Sequence, residues 1–189
     1  MEAARELAKA LHTHKLRLVY GGGIKGLMGE VARALVSLSG PDSVHGIIPE
    51  PLLSYEQSGD EEIDVNAYGR TTVVKDMHER KKRMAKEVIQ GGPGGGFVAL
   101  SGGYGTLEEL MEITTWNQLG IHSMPVVLYN VRDYWTKLLE WIHDAVQSGF
   151  VSSANSGIIR AAMDPQDVVR ALQSYQPAPG RLDLTWEDN

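Results

Sequence analysis

The stretch that decides the fold is FVALSGGYGTLEE, at residues 97–109. Its first four residues are apolar and predict a short buried strand, and a glycine-rich turn follows at 101–105. Apolar residues then recur at helical spacing, so a helix is expected over residues 106–119. Successive backbone amides of such a turn and of the first helical turn form a concavity that binds anions. The stretch therefore predicts a strand–turn–helix unit with a phosphate-binding end.

A second glycine turn lies upstream, where Gly21, Gly23 and Gly26 match the pattern G-x-G-x-x-G between a predicted strand and a predicted helix. Residues without side chains let the backbone turn tightly and approach a phosphate. The same pattern is also typical of a tight turn that merely packs a strand on a helix. A dinucleotide site is a further alternative, and it would need an acid after the next strand, where Glu50 stands between two prolines.

Strands and helices alternate along the rest of the chain, which predicts an α/β fold with a mostly parallel sheet. In such folds ligands bind at the carboxyl ends of the strands, where both glycine turns are expected. The polar stretch 52–70 is predicted to be a loop over one edge, and residues 176–189 a loose tail. One domain is therefore expected over residues 1–175. The strands are predicted at 16–20, 44–48, 71–74, 97–100 and 125–129, and the helices at 2–14, 26–38, 76–90, 106–119, 133–148 and 164–174.

The composition excludes several classes of protein. The 189 residues include 18 Lys and Arg against 24 Asp and Glu, a net charge of -6 that argues against a general nucleic-acid binder. Cysteine is absent, which removes disulfide scaffolds, Cys-ligated metals and thiol nucleophiles. The apolar runs are too short for a membrane span, and the first residues do not resemble a secretory signal. A cytoplasmic protein is the expectation.

The helix after the second turn carries three carboxylates, and helical phase separates them. Glu108 and Glu112 share a polar face, so exposure to solvent is expected for both. Glu109 shares its face with Ile113 and Trp116, and a carboxylate beside large apolar groups needs a partner or a function. Glu109 is thus the better candidate for chemistry. The predicted packing stripe of this helix consists of Leu107, Leu110, Met111 and Thr114. The helix is also apolar on its other side, which suggests that it packs on a further element, such as a second subunit.

The charged helix at 76–90 contains one arginine on its apolar stripe. Arg80 lies in phase with Met77, Met84 and Val88, whereas the lysines and arginines that follow it lie off that stripe. An inward guanidinium needs an anion, for which Glu109 or a ligand phosphate are the candidates. The alternative is an arginine that snorkels from the edge of the helix. Asp76 is predicted to cap this helix, His78 to lie on the surface, and the six histidines show no metal-binding spacing.

Together these segments resemble the LONELY GUY-type cytokinin riboside 5'-monophosphate phosphoribohydrolases, long mislabelled as lysine decarboxylases. The resemblance covers residues 2–175, in order and at the expected spacing. It is carried by LVYGGG at 18–23, GLMG at 26–29, MHERK at 77–81, GGYGTLEE at 102–109 and TWNQLGIH at 115–122.

The resemblance implies a Rossmann-like three-layer fold, a mostly parallel central sheet flanked by helices, and a homodimer with active sites at the subunit interface. It implies hydrolysis of N6-prenyl-AMP, and AMP as a further substrate, to the free base and ribose 5-phosphate, with no metal and no redox cofactor. The family's catalytic Arg and Glu fall on Arg80 and Glu109. The substrate-binding residues it implies are Gly22, Gly23, Gly26, Met28, Met77, Lys81, Gly102, Gly103, Tyr104, Gly105 and Thr106.

Two departures from the family pattern stand out. Ser101 replaces the proline that usually opens the second turn, and little loss is expected because the backbone amides stay in place. The family also usually opens with a strand and a C-G-S-S-like loop, and this sequence begins within the helix that follows them. Two alternatives stay open: a non-catalytic nucleotide-binding or carrier protein on the same fold, and a nicotinamide oxidoreductase that uses the first turn. Lysine decarboxylation is disfavoured because the sequence has no local signature for a cofactor-bearing lysine.

Overall fold

A computed structural model describes residues 1–56, 63–184 and 186. The chain divides into two compact units, Met1–Gly91 and Gly92–Asn189. The first unit contains α1 (Glu2–Thr13), β1 (Leu18–Tyr20), α2 (Gly26–Ser39), β2 (Val44–Pro49), α3 (Glu50–Glu56), α4 (Val65–Tyr68), β3 (Arg70–Val74) and α5 (Met77–Gln90). The second contains β4 (Phe97–Ala99), α6 (Tyr104–Gln118), β5 (Val126–Tyr129), α7 (Thr136–Gln147), β6 (Ile159–Ala162) and α8 (Pro165–Gln173).

The first unit is built on a parallel sheet with the order β1-β2-β3. The central strand β2 is the most buried of the three, and its Ile47 and Ile48 are almost wholly buried. Helices α2 and α5 pack on this sheet, and α1 packs on α2 through alanines and leucines at helical spacing. Glu30 of α2 accepts hydrogen bonds from Arg5 and Arg33, which lowers the pKa of its carboxyl. This cluster fixes α1 against α2.

The second unit is built on a parallel sheet with the order β4-β5-β6. All four residues of β5 are buried, as expected for a central strand covered on both faces. Helix α8 contacts β5 and β6, burying Val168, Val169 and Leu172. The first turn of α8 is capped by Asp164, whose carboxylate accepts from the Asp167 amide.

The predicted fold class is confirmed: the structure is α/β, its strands are parallel, helices flank them, and the arrangement is compatible with a Rossmann-like fold. Most helices and strands fall within one to three residues of their predicted bounds. Strand β6 was missed because IRAA contains one β-branched residue and is exposed at its two central positions. Strand β4, predicted to be buried, is half-exposed.

The predicted loop at 52–70 is wrong in two places. Residues 50–56 form α3, which contacts β2 and β3, and residues 65–68 form a helical turn, α4. A local cap explains α4, because the Asp64 carboxylate accepts from the Asn66 amide. Residues 57–62 of this stretch lie outside the described residues.

The tail is predicted to be loose from residue 176, whereas its described part is hydrogen-bonded to the end of α6. Arg181 donates from Nε to the Asn117 carbonyl and from Nη2 to the His122 carbonyl, both at 2.7 Å. The Leu182 amide donates to the Gln118 carbonyl at 2.8 Å. The Asn117 and Gln118 carbonyls belong to the last turn of α6, and the His122 carbonyl belongs to the loop that follows it, so the tail is bonded to both. Across the described residues, every helix is too short or too polar to cross a membrane.

Candidate functional site

The first glycine turn is shaped around the guanidinium of Arg80. Arg80 is buried, at 8% exposure, and lies on the inward face of α5 as its helical phase predicted. A Cβ added to Gly21 would overlap Arg80 Nη2 and lie 2.9 Å from Cζ. The missing side chain at position 21 therefore leaves room for the Arg80 guanidinium and brings a buried cation against the backbone of the turn.

The other glycines of this turn have different reasons. Gly22 has a φ of +75°, and a Cβ there would lie 2.8 Å from Ile48 Cβ, so both conformation and space require glycine. Gly26 has a φ of +61° at the start of α2 and faces open space. Gly23 is covered by Met28, whose Cε would lie 2.7 Å from an added Cβ. The turn is thus tight, and Met28 remains 45% exposed above it.

The end of α3 contacts the same turn, and no sequence pattern indicated this contact. Glu56 Oε2 accepts a hydrogen bond from the Ile24 amide at 3.0 Å. Lys25 donates to the Tyr55 carbonyl at 3.1 Å, and its Nζ lies 4.5 Å from the centroid of the Tyr55 ring. The amide of Ile24 thus already binds an anion, a carboxylate from the same chain. Because the sequence predicts a loop over residues 52–70, no helical phase is available to place Glu56.

Helix α5 begins at a strong cap. The Asp76 carboxylate accepts from the Glu79 amide at 2.8 Å, and that hydrogen bond lowers the pKa of the Asp76 carboxyl. The predicted cap is confirmed. Met77 is 41% exposed, and its sulfur lies 3.7 Å from Arg80 Nη1, so the two predicted site residues are in contact. Lys81 is half-exposed, and the exposed side chains of this helix include His78, Lys82, Arg83 and Lys86.

Tyr20 closes the buried side of the first turn. Its ring would lie 3.1 Å from a Cβ added to Gly46, and its hydroxyl donates to the Tyr68 carbonyl at 3.4 Å. Burial is the main cause that raises the pKa of the Tyr20 hydroxyl to about 12, and Tyr68 and Glu56 add to it. The tyrosine therefore remains neutral at physiological pH and supports the strand from which the turn leaves.

The second glycine turn connects β4 to α6. A Cβ added to Gly102 would overlap the Thr106 hydroxyl, so the threonine folds back over the turn that precedes its own helix. Gly103 precedes the first residue of α6 as its N-cap, and Gly103 and Gly105 both face open space. Tyr104 is 94% exposed. Bare amides, a hydroxyl and a helix N-terminus thus converge here, which is the arrangement that binds phosphate groups.

Tyr134 contacts this turn and was not found from the sequence. Its hydroxyl donates to the Gly102 carbonyl at 2.6 Å, from the segment that follows β5. The two residues are 32 positions apart in the chain. No short-range pattern could have indicated this contact.

Helix α6 exposes Glu108 as expected, but Glu112, which was also expected to be exposed, is not, and the buried stripe of the helix is rotated. Glu108 is exposed, whereas Glu109 and Glu112 are half-exposed. The buried residues are Leu110, Ile113 and Asn117, so the stripe passes through Ile113 rather than through Met111 and Thr114. Glu109 lies one helical turn before Ile113, at the border of the buried stripe. Arg80 belongs to the first unit and Glu109 to the second.

Within the described ranges no group of three or more His, Asp or Glu residues is arranged to hold a metal ion. The one buried histidine described, His122, is held by the backbone: its Nε2 lies 2.9 Å from the Ile113 carbonyl and its Nδ1 accepts from the Met124 amide.

Comparison with known proteins identifies the family. The family described as "Possible lysine decarboxylase" matches residues 28–172, most of the chain. This chain is a member of the LONELY GUY (LOG) family. The cytokinin riboside 5'-monophosphate phosphoribohydrolase LOG5 of Arabidopsis thaliana is 44% identical over 176 residues, which are 93% of this chain and 71% of that protein. The phosphoribohydrolase LOG3 of the same plant is 43% identical over 188 residues, 98% of this chain and 81% of that protein.

A longer relative is also similar to this LOG-family chain. The "Bifunctional cytokinin biosynthesis protein" of Fusarium pseudograminearum is 48% identical over 190 residues. These cover 98% of this chain but 39% of the Fusarium protein. The chain therefore spans well under half the length of that relative, and it spans most of the two plant proteins.

Proposed function

We propose that this chain hydrolyses the N-glycosidic bond of cytokinin riboside 5'-monophosphates, releasing the free base and ribose 5-phosphate. The observation that carries the proposal is the buried guanidinium of Arg80 against Gly21 in the first glycine turn. A buried cation beside bare backbone suits an anionic or strongly polar ligand. Family membership points to the same chemistry, because plant relatives that this chain largely spans are named for it.

The proposed substrate is bound through its phosphate. Gly102, Gly103, Gly105 and Thr106 hold the 5'-phosphate at the N-terminus of α6, where open amides and the helix dipole favour an anion. The first turn, through Gly22, Gly23 and Gly26, assists from its own strand end. Tyr104, Met28, Met77 and Lys81 are the side chains proposed to contact the rest of the nucleotide.

The proposed reaction breaks the bond between N9 of the base and C1' of the ribose. Positive charge grows on the sugar in the transition state, as in glycoside hydrolysis. Glu109 stabilises this charge and orients or deprotonates the attacking water, whose hydroxyl bonds to C1' while its other proton ends on the released base. Arg80 engages the ribose or the leaving base. In this scheme the two glycine turns bind the phosphate, and helices α5 and α6 supply the charged side chains Arg80 and Glu109.

We further propose that residues 1–175 act as one catalytic domain, in a homodimer located in the cytoplasm, with the active site at the subunit interface. Apolar surface for the second subunit comes from the half-exposed Met111 and Trp116 of α6. Light scattering of the purified chain measures the mass of the assembly. A monomer at the concentrations at which the enzyme is active would contradict the dimer.

A base-release assay tests the function. The chain is incubated with N6-isopentenyl-AMP and with AMP, and the free base is separated by chromatography. Release of the free base, with ribose 5-phosphate formed in equal amount, supports the phosphoribohydrolase. Tight binding of either nucleotide without release of base would favour the alternative, a non-catalytic nucleotide-binding or carrier protein.

A further inference from the structure

A side chain from the segment that follows β5 contacts the second glycine turn. Tyr134 directly follows the short helical segment Val131–Asp133 and is 51% exposed. Its hydroxyl donates a hydrogen bond to the Gly102 carbonyl at 2.6 Å. Strands β4 and β5 are parallel neighbours, so the segments after both strands emerge at the same edge of their sheet. This contact ties the two segments together at the edge where a ligand is expected.

The position of Tyr134 is itself fixed by buried groups. Asn130 is 3% exposed, and its Oδ1 accepts from the Trp135 amide at 2.7 Å while its Nδ2 donates to the Thr136 hydroxyl at 3.2 Å. Trp135 is also 3% exposed, and its ring meets that of Tyr134 edge-on, with centroids 4.9 Å apart. The phenol of Tyr134 thus projects from a rigid base.

The backbone of this segment is strained. Arg132 and Asp133 have φ angles of +52° and +60°, a left-handed conformation that is unfavourable for L-residues. Two consecutive non-glycine residues in this region are unusual, and such strain tends to persist at functional sites where the surroundings enforce it. Here the strained pair immediately precedes Tyr134 and directs the chain toward Gly102.

Peptide geometry explains what the bond to Gly102 achieves. In a trans peptide the carbonyl of one residue and the amide of the next point in opposite directions. Since the Gly102 carbonyl is held by Tyr134, the Gly103 amide points away from Tyr134. A peptide between two glycines rotates easily, because neither residue has a Cβ. A flipped peptide would present a carbonyl oxygen in place of the amide and would repel a phosphate.

We propose that Tyr134 is a positioning residue that holds the Gly102–Gly103 peptide in its phosphate-binding orientation. The proposal rests on the proposed function, in which this turn binds the 5'-phosphate. Tyr134 acts through the turn and does not touch the reacting atoms. Its loss therefore weakens the recognition of the phosphate selectively, and it leaves the recognition of the base and ribose unchanged.

The test compares Tyr134→Phe with wild type, because this change removes the hydroxyl alone. Affinity for ribose 5-phosphate, measured by calorimetry, should fall about three- to tenfold, the effect of one neutral hydrogen bond. Affinity for the phosphate-free nucleoside N6-isopentenyladenosine should stay unchanged. In turnover of the nucleotide, KM should rise by the same factor as the loss of ribose 5-phosphate affinity, with kcat altered much less.

Tyr175→Phe is the matched control. Its hydroxyl lies 3.2 Å from Asn117 Nδ2, near the opposite end of α6 from Gly102. The control removes a comparable hydrogen bond, so we expect it to leave both affinities unchanged. Equal losses for ribose 5-phosphate and the nucleoside in Tyr134→Phe, or a lower melting temperature with unchanged phosphate affinity, would overturn the positioning role.

Binding and turnover separate the two proposals. If wild type binds ribose 5-phosphate but releases no base, the proposed hydrolysis fails, while the calorimetric comparison still decides the role of Tyr134. If wild type does not bind ribose 5-phosphate at all, the turn has no phosphate site and the positioning role is overturned.

Discussion

The guanidinium of Arg80 occupies the space that a side chain on Gly21 would need. Gly21 has no positive φ, so its backbone conformation alone would admit other residues. The requirement for glycine therefore comes from α5, which places a buried arginine there. Two glycines of the G-x-G-x-x-G pattern are thus required for different reasons. Gly21 leaves space for the Arg80 guanidinium, and Gly26 has the positive φ with which α2 begins.

We expect Gly21→Ala to inactivate the protein without unfolding it. The added methyl would overlap the far end of a flexible side chain, so Arg80 can move aside at small cost in stability. A displaced catalytic group costs about 100-fold in rate, and kcat/KM for base release should fall by about that factor. The melting temperature should change little.

The control for this change is Gly157→Ala, at a glycine whose added Cβ would meet its nearest neighbour, Arg160 Nη2, at an ordinary 3.6 Å. This variant should keep wild-type activity. Wild-type kcat/KM in Gly21→Ala would show that the position of Arg80 against the turn is not needed for catalysis.

We expect Glu109→Gln to abolish hydrolysis and to leave nucleotide binding intact. The amide has the same size but cannot stabilise positive charge on the sugar or accept a proton from water, so kcat should fall by about 100- to 10,000-fold. Binding survives because the phosphate is held by backbone amides of the turn. Calorimetry with N6-isopentenyl-AMP, together with the base-release assay, measures both quantities.

Glu108→Gln is the comparison for this prediction, because Glu108 is the exposed neighbour on the same helix. It should retain turnover. Equal loss in the two variants would mean that the general negative charge at the start of α6 matters, and would remove the specific role of Glu109.

The inward position of Arg80 could be predicted from the sequence because it depends on one regular element. A period of 3.6 residues relates Arg80 to Met84 and Val88, and the structure buries the arginine as expected. The site contacts of Glu56 and Tyr134 could not be predicted. Each joins residues about 30 positions apart, from segments whose paths depend on tertiary packing.

The buried stripe of α6 was predicted less well for a related physical reason. This helix has apolar residues on two faces, so its sequence defines no single inward direction. The stripe was expected to include Met111, but Ile113 and Asn117 are the buried residues. The side chain of Asn117 donates to the Met124 carbonyl, and Arg181 of the tail donates to the backbone carbonyl of Asn117. Contacts with residues further along the chain therefore bury this polar residue.

We expect Tyr20→Phe to alter stability in alkaline solution. The pKa of the Tyr20 hydroxyl is about 12 in the folded chain, against an ordinary value of 10.0. Between these values the unfolded chain loses a proton that the folded chain keeps, so stability falls as pH rises from 10 to 12, by about 3 kcal/mol for this group. Urea titrations at pH 9, 10 and 11 should show a shallower decline in the variant.

The exposed Tyr55 provides the control, since Tyr55→Phe removes a hydroxyl from a side chain that is 71% exposed. Its stability should decline with pH as that of wild type does. If Tyr20→Phe declines just as steeply, the buried hydroxyl is not the group responsible.

We expect His122→Gln to reduce the loss of stability in mild acid. Burial lowers the pKa of the His122 ring; Arg181 also lowers it, while the hydrogen bond to the Ile113 carbonyl opposes the shift. Below the ordinary value of 6.5 the unfolded chain binds a proton that the folded chain resists, so stability is full above pH 6.5 and falls as pH decreases through the folded pKa. Protonation would also place a hydrogen on Nδ1, against the Met124 amide that donates to it.

Thermal unfolding at pH 7.5, 6.5 and 5.5 measures this difference, and glutamine keeps one donor and one acceptor in the site. Wild type should lose melting temperature over this range more steeply than His122→Gln. His143→Gln changes an exposed histidine of α7 and should follow wild type. Parallel curves for wild type and His122→Gln would show that the buried ring, and the tail bonded beside it, do not respond to acid in this range.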